Sequence, residues 1–302
     1  MRILITGGLG FIGTNLRRAL AATTDHEVFV FDRERVVQEN YIRGDVNDYF
    51  SLERAFAVAR PDLVVHYAAM VSRKECEETP DLAIRTNTIG AQNVVHLCLN
   101  HNARLVYAGS SEEYGSAYQG PDGTPVTVAE DTPFGIPTSY YGMTKRHADE
   151  LIRYNAVQNG LVASTTRFCM LYGPGELGNT YRSAVARFID SAKANRPITA
   201  HVNTERSWCF IDDAVEGVLR VLHRDQTEPY EVYNIGNDEP ISAVDLAKKV
   251  VGVFGSSSPI LEAGVEPTII PIKRMSFARA KAVLGWEART SLEEGLRRMQ
   301  GA

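Results

Sequence analysis

Tyr141 and Lys145 are the side chains of this sequence whose types and spacing point most directly to chemistry. They lie four positions apart, and in a helix this spacing places both on one face, where they can meet the same ligand. A protonated lysine favours the phenolate, so we expect it to lower the pKa of Tyr141 from about 10 towards neutrality. The pair predicts a general base that takes a proton from a hydroxyl group.

A Tyr-x-x-x-Lys pair alone also fits an ordinary helix surface, and Ser110 is the residue that favours the chemical interpretation. It follows the predicted strand Arg104 to Ala108, and its hydroxyl can hydrogen-bond the substrate oxygen that Tyr141 deprotonates. Glu112 and Glu113 come next. They fit either a solvated pair or, for Glu112, a second base.

These residues need a scaffold, and the first thirteen residues indicate which one. A β-branched run from Arg2 enters a turn with glycines at 7, 10 and 13, followed by a helix from Phe11 to Ala22. Gly7 allows the tight turn, Gly10 allows the backbone to approach a pyrophosphate, and Gly13 allows helix and strand to pack closely. The stretch predicts a dinucleotide-binding site whose phosphates meet the helix N-terminus.

Asp32 ends the second predicted strand, about 20 positions after the glycine turn. An acidic residue there binds the adenosine ribose and repels a 2′-phosphate, which favours NAD over NADP. Arg33 beside it leaves a 2′-phosphate as an alternative. Asp45 is placed to hold the adenine amino group, and His66 is expected to be a packed core histidine.

Strands and helices alternate through most of the first 240 residues, which predicts an α/β fold with a Rossmann-type doubly wound parallel sheet and a smaller C-terminal α/β lobe. We expect an NAD-binding domain at 1–168, with 207–236 rejoining its sheet. The segments 169–206 and 237–302 are expected to form the substrate-binding lobe.

Composition excludes several classes of function. The 302 residues carry a net charge of −5, which argues against nucleic-acid and anionic membrane partners. The four cysteines are widely spaced, so we expect reduced thiols, no metal site and a cytoplasmic location. No apolar run reaches membrane-spanning length.

The sequence resembles the extended short-chain dehydrogenase/reductase family that acts on nucleotide sugars, often described as NAD-dependent epimerase/dehydratase. The matching motifs extend over nearly the whole chain: Gly7 to Gly13, His66-Tyr67-Ala68-Ala69, Asn87, Ser110 with Tyr114-Gly115, Tyr141 to Lys145, Arg167 through Pro174, and Arg206 before Ile211-Asp212-Asp213. The resemblance implies that Lys145 holds the nicotinamide ribose, Tyr141 is the acid/base and Ser110 supports it. It also implies that Arg206 meets the pyrophosphate of the sugar nucleotide, and that two helices, around Asn87 to Leu99 and Tyr141 to Asn155, pair across a two-fold axis in a homodimer.

The predicted site is as follows. The catalytic residues are Ser110, Glu112, Tyr141 and Lys145. The cofactor contacts are Gly7, Gly10, Phe11, Ile12, Gly13, Asp32, Arg33, Asp45, Val46, Tyr67, Ala68, Ala69, Asn87, Tyr141, Lys145 and Phe168. The substrate contacts are Val71, Ser111, Met170, Asn179, Arg182, Arg206 and Arg274.

Two stretches depart from the family pattern and leave the nucleotide open. Met170 stands where the family usually has an asparagine that touches the substrate, and Pro271 to Met275 only loosely resembles the usual Arg-Pro-Gly-Glu stretch.

The leading hypothesis is an NAD-dependent enzyme that oxidises a nucleotide sugar at C4 and then epimerises, dehydrates or decarboxylates the 4-keto intermediate. Glutamate at position 112 is typical of the dehydratases, decarboxylases and some 4-keto-sugar reductases of the family. An alternative is a 4-keto-6-deoxyhexose reductase using NAD(P)H, since Gly109 to Gly115 also resembles the GDP-4-keto-6-deoxymannose reductases. A non-catalytic relative that senses a dinucleotide is the third hypothesis.

Overall fold

A computed structural model of the chain describes residues 1–176, 183–265 and 269–301. The strands are β1 (Arg2–Thr6), β2 (Glu27–Asp32), β3 (Tyr41–Arg43), β4 (Leu63–His66), β5 (Arg104–Ser110), β6 (Thr127–Val128), β7 (Ala163–Phe168), β8 (Met170–Tyr172), β9 (Ile198–His201), β10 (Glu205–Phe210), β11 (Tyr230–Ile235), β12 (Pro240–Ser242), β13 (Ile260–Ala263) and β14 (Arg274–Met275). The helices are α1 (Phe11–Thr23), α2 (Tyr49–Ala59), α3 (Arg73–Glu78), α4 (Pro80–Ile84), α5 (Gly90–His101), α6 (Tyr140–Asn159), α7 (Ala184–Lys193), α8 (Ile211–Leu222), α9 (Ala243–Phe254), α10 (Ala278–Leu284) and α11 (Leu292–Arg298). One π-helical turn, Arg85–Ile89, joins α4 to α5, and 3₁₀ segments occupy Ser111–Tyr118 and Met299–Gly301.

The main sheet has seven strands in the order β11-β7-β5-β4-β1-β2-β3. β1 pairs in parallel with both neighbours, so that Leu4 lies opposite Phe29 of β2 and Val64 of β4. Parallel strands need crossover connections, and the helices between them supply these connections. The predicted doubly wound parallel sheet is confirmed.

One core lies between this sheet and helices α2, α5 and α6. Alternate strand residues point to it, among them Leu4, Phe31 and Tyr107, while their neighbours in sequence face the other side of the sheet. Phe56 of α2 and Ile152 of α6 close the core from the helix side. Burial on both faces explains why the central strands β1 and β4 carry continuous apolar runs rather than an alternating pattern.

The chain divides into two compact units. The first comprises 1–113, 139–167 and 218–233, and the second comprises 114–138, 168–217 and 234–302. Relative to the predicted domains, the loop 114–138 groups with the second unit. Of the segment 207–236, β11 lies in the main sheet, but β10 pairs with β8 and β12 in a separate three-stranded sheet.

Among the described residues, the smaller strands belong to three further sheets. β10 runs parallel to β8 and antiparallel to β12, and β13 and β14 pair in parallel with β9 and β6 respectively. The region after Tyr172, which the sequence pattern leaves unassigned, contains α7 and the strands β9 and β10. Within the described part of the chain, no helix is both long enough and apolar enough to span a bilayer.

Candidate active site

The glycine turn after β1 has the conformation that a dinucleotide site needs. Gly7 has φ +68°, and a Cβ there would lie 2.5 Å from the backbone nitrogen of Ala68. A Cβ on Gly13 would lie 2.5 Å from the carbonyl oxygen of Gly7, so glycine allows α1 to pack against the turn. Gly10 is the N-cap of α1 and offers no side-chain acceptor to the first turn. The N–H groups at this helix end therefore fit a pyrophosphate.

Asp32 lies at the end of β2, where it supports the glycine turn. Its Oδ2 accepts a hydrogen bond from the Leu9 amide at 3.0 Å, and its Oδ1 accepts one from the Arg33 amide at 2.8 Å. The Glu34 amide also donates to Oδ1, at 3.4 Å. A carboxylate has about four acceptor sites, so about one remains for a ribose hydroxyl. The residues of this turn and the end of β2 fit the adenosine and phosphate parts of NAD.

The residues after β3 and β4 surround the same edge of the sheet. Val46 is buried, and a Cβ on Gly90 would lie 2.8 Å from its Cγ2. The Val46 carbonyl accepts a hydrogen bond from the Asn93 side chain at 2.8 Å. Asp45 accepts hydrogen bonds from Asn47, and Val71 is half exposed. The predicted contacts Tyr67, Ala68 and Ala69 follow β4 directly.

His66 is a core histidine, as predicted. Its Nδ1 lies 2.7 Å from the Thr6 hydroxyl and its ring stacks on Tyr107. Burial, and then the charge of Lys145, lowers the pKa of His66 to about 3. His66 is therefore neutral at physiological pH.

Ser110, Glu112 and Tyr141 come together where β5 ends and α6 begins. Ser139 caps α6 by accepting a hydrogen bond from the Gly142 amide at 3.0 Å. The Ser110 hydroxyl accepts a hydrogen bond from the Glu112 amide at 3.2 Å and is hydrogen-bonded to Tyr141. The structure thus brings together the serine and tyrosine that the sequence places 31 positions apart.

Lys145 lies one turn after Tyr141 on α6, but its ammonium contacts a different ring. Its Nζ is 4.1 Å from the centroid of the Tyr107 ring, and the residue is 3% exposed. Burial raises the pKa of Tyr141 above its usual range, the hydrogen bond with Ser110 opposes this, and the charges of Glu112 and Glu113 add to it. The expected lowering of the Tyr141 pKa by Lys145 is therefore wrong in direction for the protein alone, because burial and two carboxylates prevail.

The two glutamates after Ser110 are buried rather than solvated. Glu112 is 9% exposed and Glu113 is 1% exposed. Glu113 belongs to a network that sequence reasoning missed: it shares the Arg167 guanidinium with Asp149, which also accepts hydrogen bonds from Thr165 and Tyr230. The available signal was Arg167 itself, a charged residue in a strand that lies inside a buried sheet, since such a residue needs a buried partner.

Asn87 lies in the π-helical turn and its side chain is fully engaged within the first unit. Its Oδ1 accepts from the Met70 amide at 2.7 Å, and its Nδ2 donates to the Met70 carbonyl and to the Thr144 hydroxyl. These bonds tie the segment after β4 to α6. Single π-helical turns of this kind occur often at functional sites.

Three predicted substrate residues of the second unit, Met170, Arg206 and Arg274, have defined neighbours. Met170 of β8 lies opposite Trp208 of β10. The Arg206 guanidinium donates to the carbonyls of Ile270 and Pro271 at 2.5 and 2.6 Å, and Arg274 donates to Glu205 at 2.7 Å. Ser111 of the first unit and Phe168 of the second are buried, whereas Asn179 and Arg182 lie outside the described residues. A pyrophosphate contact of Arg206 stays a prediction.

Comparison with known proteins places this geometry in a family. The model of the NAD dependent epimerase/dehydratase family matches residues 3–236. UDP-glucuronic acid decarboxylase 6 of Arabidopsis thaliana is 31% identical over 315 residues, which are 99% of this chain and 88% of that protein. The dTDP-L-rhamnose 4-epimerase of Burkholderia thailandensis is 24% identical, over 99% of this chain and 94% of that protein.

A solved structure agrees with the sequence comparison. The UDP-glucose 4-epimerase of Thermus thermophilus, crystallised with NAD, superposes with a TM-score of 0.88 at 26% identity and covers 100% of both chains. The match includes the glycine turn, the end of β5 and the start of α6. The chain therefore belongs to the NAD dependent epimerase/dehydratase family, whose cofactor is NAD.

Proposed function

We propose that this enzyme oxidises a nucleotide sugar at C4, acts on the 4-keto intermediate and then reduces it again. The observation that carries the proposal is the hydrogen bond between Ser110 and Tyr141 with Lys145 one helical turn away. Bound NAD supplies the hydride acceptor for the first step and the hydride donor for the last. The domain roles follow: the first unit binds NAD and the second contributes substrate contacts.

The three side chains have separate roles in this oxidation. Tyr141 takes the proton of the C4 hydroxyl, and Ser110 hydrogen-bonds the same oxygen. The ammonium of Lys145 would hold the nicotinamide ribose of bound NAD. The positive charge of the oxidised cofactor beside Tyr141 would favour its phenolate, against the burial that raises the pKa of this phenol.

Glu112 supports a second step at C5 rather than simple epimerisation at C4. A C4 ketone stabilises negative charge at C5. Decarboxylation then releases the C5 carboxylate as CO2 and C5 gains a proton, whereas dehydration removes the C5 proton and expels the C6 hydroxyl as water. Glu112 is buried, and it follows Ser110 and Ser111 directly in the sequence. The 31% identical relative is named a decarboxylase of UDP-glucuronic acid, which supports this branch.

The test is Glu112→Gln with UDP-glucuronic acid, UDP-glucose and dTDP-glucose as probes. We expect the first hydride transfer to persist, because Ser110, Tyr141 and Lys145 are unchanged, and the later step to stall. Reduced-nicotinamide absorbance should accumulate with a 4-keto sugar, and solvent deuterium should fail to enter C5. The control is Glu150→Gln, which changes an exposed glutamate on α6.

Other outcomes assign other functions. Full turnover by Glu112→Gln would favour a simple 4-epimerase. Consumption of added NADH or NADPH with a 4-keto-6-deoxy sugar would favour the reductase that the stretch Gly109 to Gly115 also suggests. Binding of NAD without reaction on any of these sugars would favour a non-catalytic relative.

We also propose a homodimer and a cytoplasmic location. The α6 helix of the first unit exposes the apolar side chains of Tyr154 at 63% and Val157 at 61%, and the π-helical turn before α5 exposes Ile89 at 44%. All four cysteines are buried and form no disulfide with one another. Reduced thiols suit a cytoplasmic compartment.

A further inference from the structure

Tyr107 is a buried aromatic residue of β5 that the proposed mechanism does not use. It is 1% exposed and lies three positions before Ser110 on the same strand. Its side chain points into the core between the main sheet and α6. Tyr107 therefore lies between the two elements that carry Ser110 and Lys145.

The Lys145 ammonium lies against the ring of Tyr107. Its Nζ is 4.1 Å from the ring centroid, well inside the distance of about 6 Å within which an aromatic face attracts a cation. The Tyr107 hydroxyl also donates a long hydrogen bond, of 3.4 Å, to the Lys145 carbonyl. One side chain thus contacts both the backbone and the charged end of Lys145.

The ring is important because the ammonium is buried. Lys145 is 3% exposed, and none of the ion pairs in the described part of the chain includes it. A buried ammonium is costly unless other groups stabilise it. The electron-rich face of an aromatic ring is such a group, and it attracts a desolvated cation more strongly than an exposed one.

The Tyr107 ring is itself held by its neighbours. His66 of β4 stacks on it with ring centroids 5.8 Å apart, and His66 Nδ1 lies 2.7 Å from the Thr6 hydroxyl. The Thr166 hydroxyl donates to the Tyr107 carbonyl at 3.2 Å. The ring therefore presents a fixed surface to Lys145.

We propose that Tyr107 is a positioning residue of this site, whose ring holds the Lys145 ammonium by a cation–π contact. The ring favours the charged form of Lys145 over the neutral amine, and it keeps the ammonium in one place before NAD binds. The functional meaning rests on the role that the proposed function gives to Lys145. The contact itself does not.

The charge states of the two residues agree with this role. Burial raises the pKa of the Tyr107 phenol well above its usual range, so the ring stays neutral. Burial lowers the pKa of Lys145 to about 8, so a contact that favours the ammonium affects its charge close to neutral pH. The titratable groups on the elements around this pair are Cys76 of α3, His66 of β4, Glu112 and Glu113 of the 3₁₀ segment, Tyr141 and Asp149 of α6, Arg167 of β7 and Tyr230 of β11.

The contact is tested by NMR of the full-length protein with ¹³C-labelled lysine, in which Lys145→Met assigns the Lys145 Cε signal. We expect Tyr107→Leu to lower the titration midpoint of this signal by about one pH unit or more, the size of a desolvated cation–π contact. Tyr107→Phe should keep the wild-type midpoint, because it keeps the ring. Phe56→Leu is the matched control, since it removes another fully buried ring of the same core, and it should also keep the midpoint.

Fluorinated phenylalanines in place of Tyr107 separate the attraction of the ring from its packing. They keep the shape of phenylalanine almost unchanged, while fluorine withdraws electron density from the ring face that attracts the cation. We expect the Lys145 midpoint to fall stepwise from phenylalanine through the monofluorinated to the trifluorinated ring. This series decides the question if Tyr107→Leu does not fold.

Three results would overturn the contact: an unchanged Lys145 midpoint in a folded Tyr107→Leu protein, an equal decrease in Phe56→Leu, or one midpoint for the whole fluorinated series. The positioning role is tested by calorimetric titration with NAD near neutral pH, where Tyr107→Leu should weaken binding about fivefold or more. Wild-type affinity for NAD in this variant would overturn that role. No nucleotide sugar is needed, so a failure of the proposed function is distinguishable from a failure of this proposal.

Discussion

At the scale of single residues, the surroundings of Tyr141, the proposed proton acceptor, resist its ionisation. Burial and the charges of Glu112 and Glu113 raise the pKa of Tyr141, and the Ser110 hydroxyl opposes this through its hydrogen bond. Without the cofactor, the Tyr141 phenol is therefore a weaker acid than a free tyrosine side chain. A cationic partner has to act before Tyr141 becomes an efficient base.

Replacement of Tyr141 with phenylalanine keeps the ring and removes the hydroxyl. We expect Tyr141→Phe to bind NAD as the wild type does and to lose turnover by about 10² to 10⁴, the usual size of a general-base contribution. Calorimetric titration with NAD and initial rates on the best nucleotide sugar measure the two quantities. Wild-type rates in this variant would mean that the base lies elsewhere.

At the scale of elements, α6 is held at its N-terminal end by close contact with the segment after β5. A Cβ on Gly142 would lie 2.6 Å from the Glu112 carbonyl oxygen. Ser139 caps the helix, and Asn87 of the π-helical turn reaches Thr144. These contacts set the position of Tyr141 and Lys145 relative to Ser110.

Gly142→Ala tests this close contact. Alanine favours helices over glycine, so an uncrowded site would gain about 0.5 to 1 kcal/mol of stability. At position 142 the added methyl would instead push α6 from Glu112, and we expect lower stability and a lower kcat. Gly252→Ala in α9 is the matched control, because nothing lies within 4 Å of its new Cβ, and it should stabilise the protein. Equal stabilisation by both substitutions, measured by urea unfolding, would contradict the close contact.

At the scale of the whole molecule, the buried charges make stability depend on pH. The pKa of Glu113 is raised from 4.5 to about 8 in the folded protein, so the folded state holds more protons than the unfolded state between these values. Its contribution is fully present below pH 4.5 and is lost as the pH rises through about 8. The slope is at most about 1.4 kcal/mol per pH unit.

Glu113→Gln should remove this slope. We expect the free energy of unfolding of the wild type, relative to that of the variant, to decrease from pH 5 to pH 7. Urea unfolding at pH 5, 6 and 7 measures the difference, with Glu150→Gln as a control that keeps the wild-type slope. Parallel pH profiles for wild type and Glu113→Gln would show that Glu113 is ionised already at pH 5.

The assembly of the whole molecule is tested by its mass in solution. We expect light scattering at micromolar concentration to give twice the mass of one chain, because exposed apolar side chains of α6 are then buried between two copies. Tyr154→Glu combined with Val157→Glu should yield monomers. Val58→Glu, an exposed valine on α2, should leave the dimer intact. A monomeric wild type would refute the homodimer.

Short-range pattern in the sequence was sufficient for much of the fold. The glycine turn with α1, the end of β2 at Asp32 and the start of α6 after Ser139 were predicted from runs, periodicity and caps. These features depend on neighbours within a few positions, and that information is local. The elements α7, β9 and β10 were not predicted, because their mixed polar pattern has a meaning only within the second unit.

The sequence by itself determined which residue types are available for catalysis, Ser110, Glu112, Tyr141 and Lys145, and which elements carry them. Only the tertiary structure decided their electrostatic state. Glu113 meets Arg167, 54 positions later, and the Lys145 ammonium lies over the ring of Tyr107, 38 positions earlier. The reason is physical: burial and charge pairing depend on distances in space, and a sequence pattern records only distances along the chain.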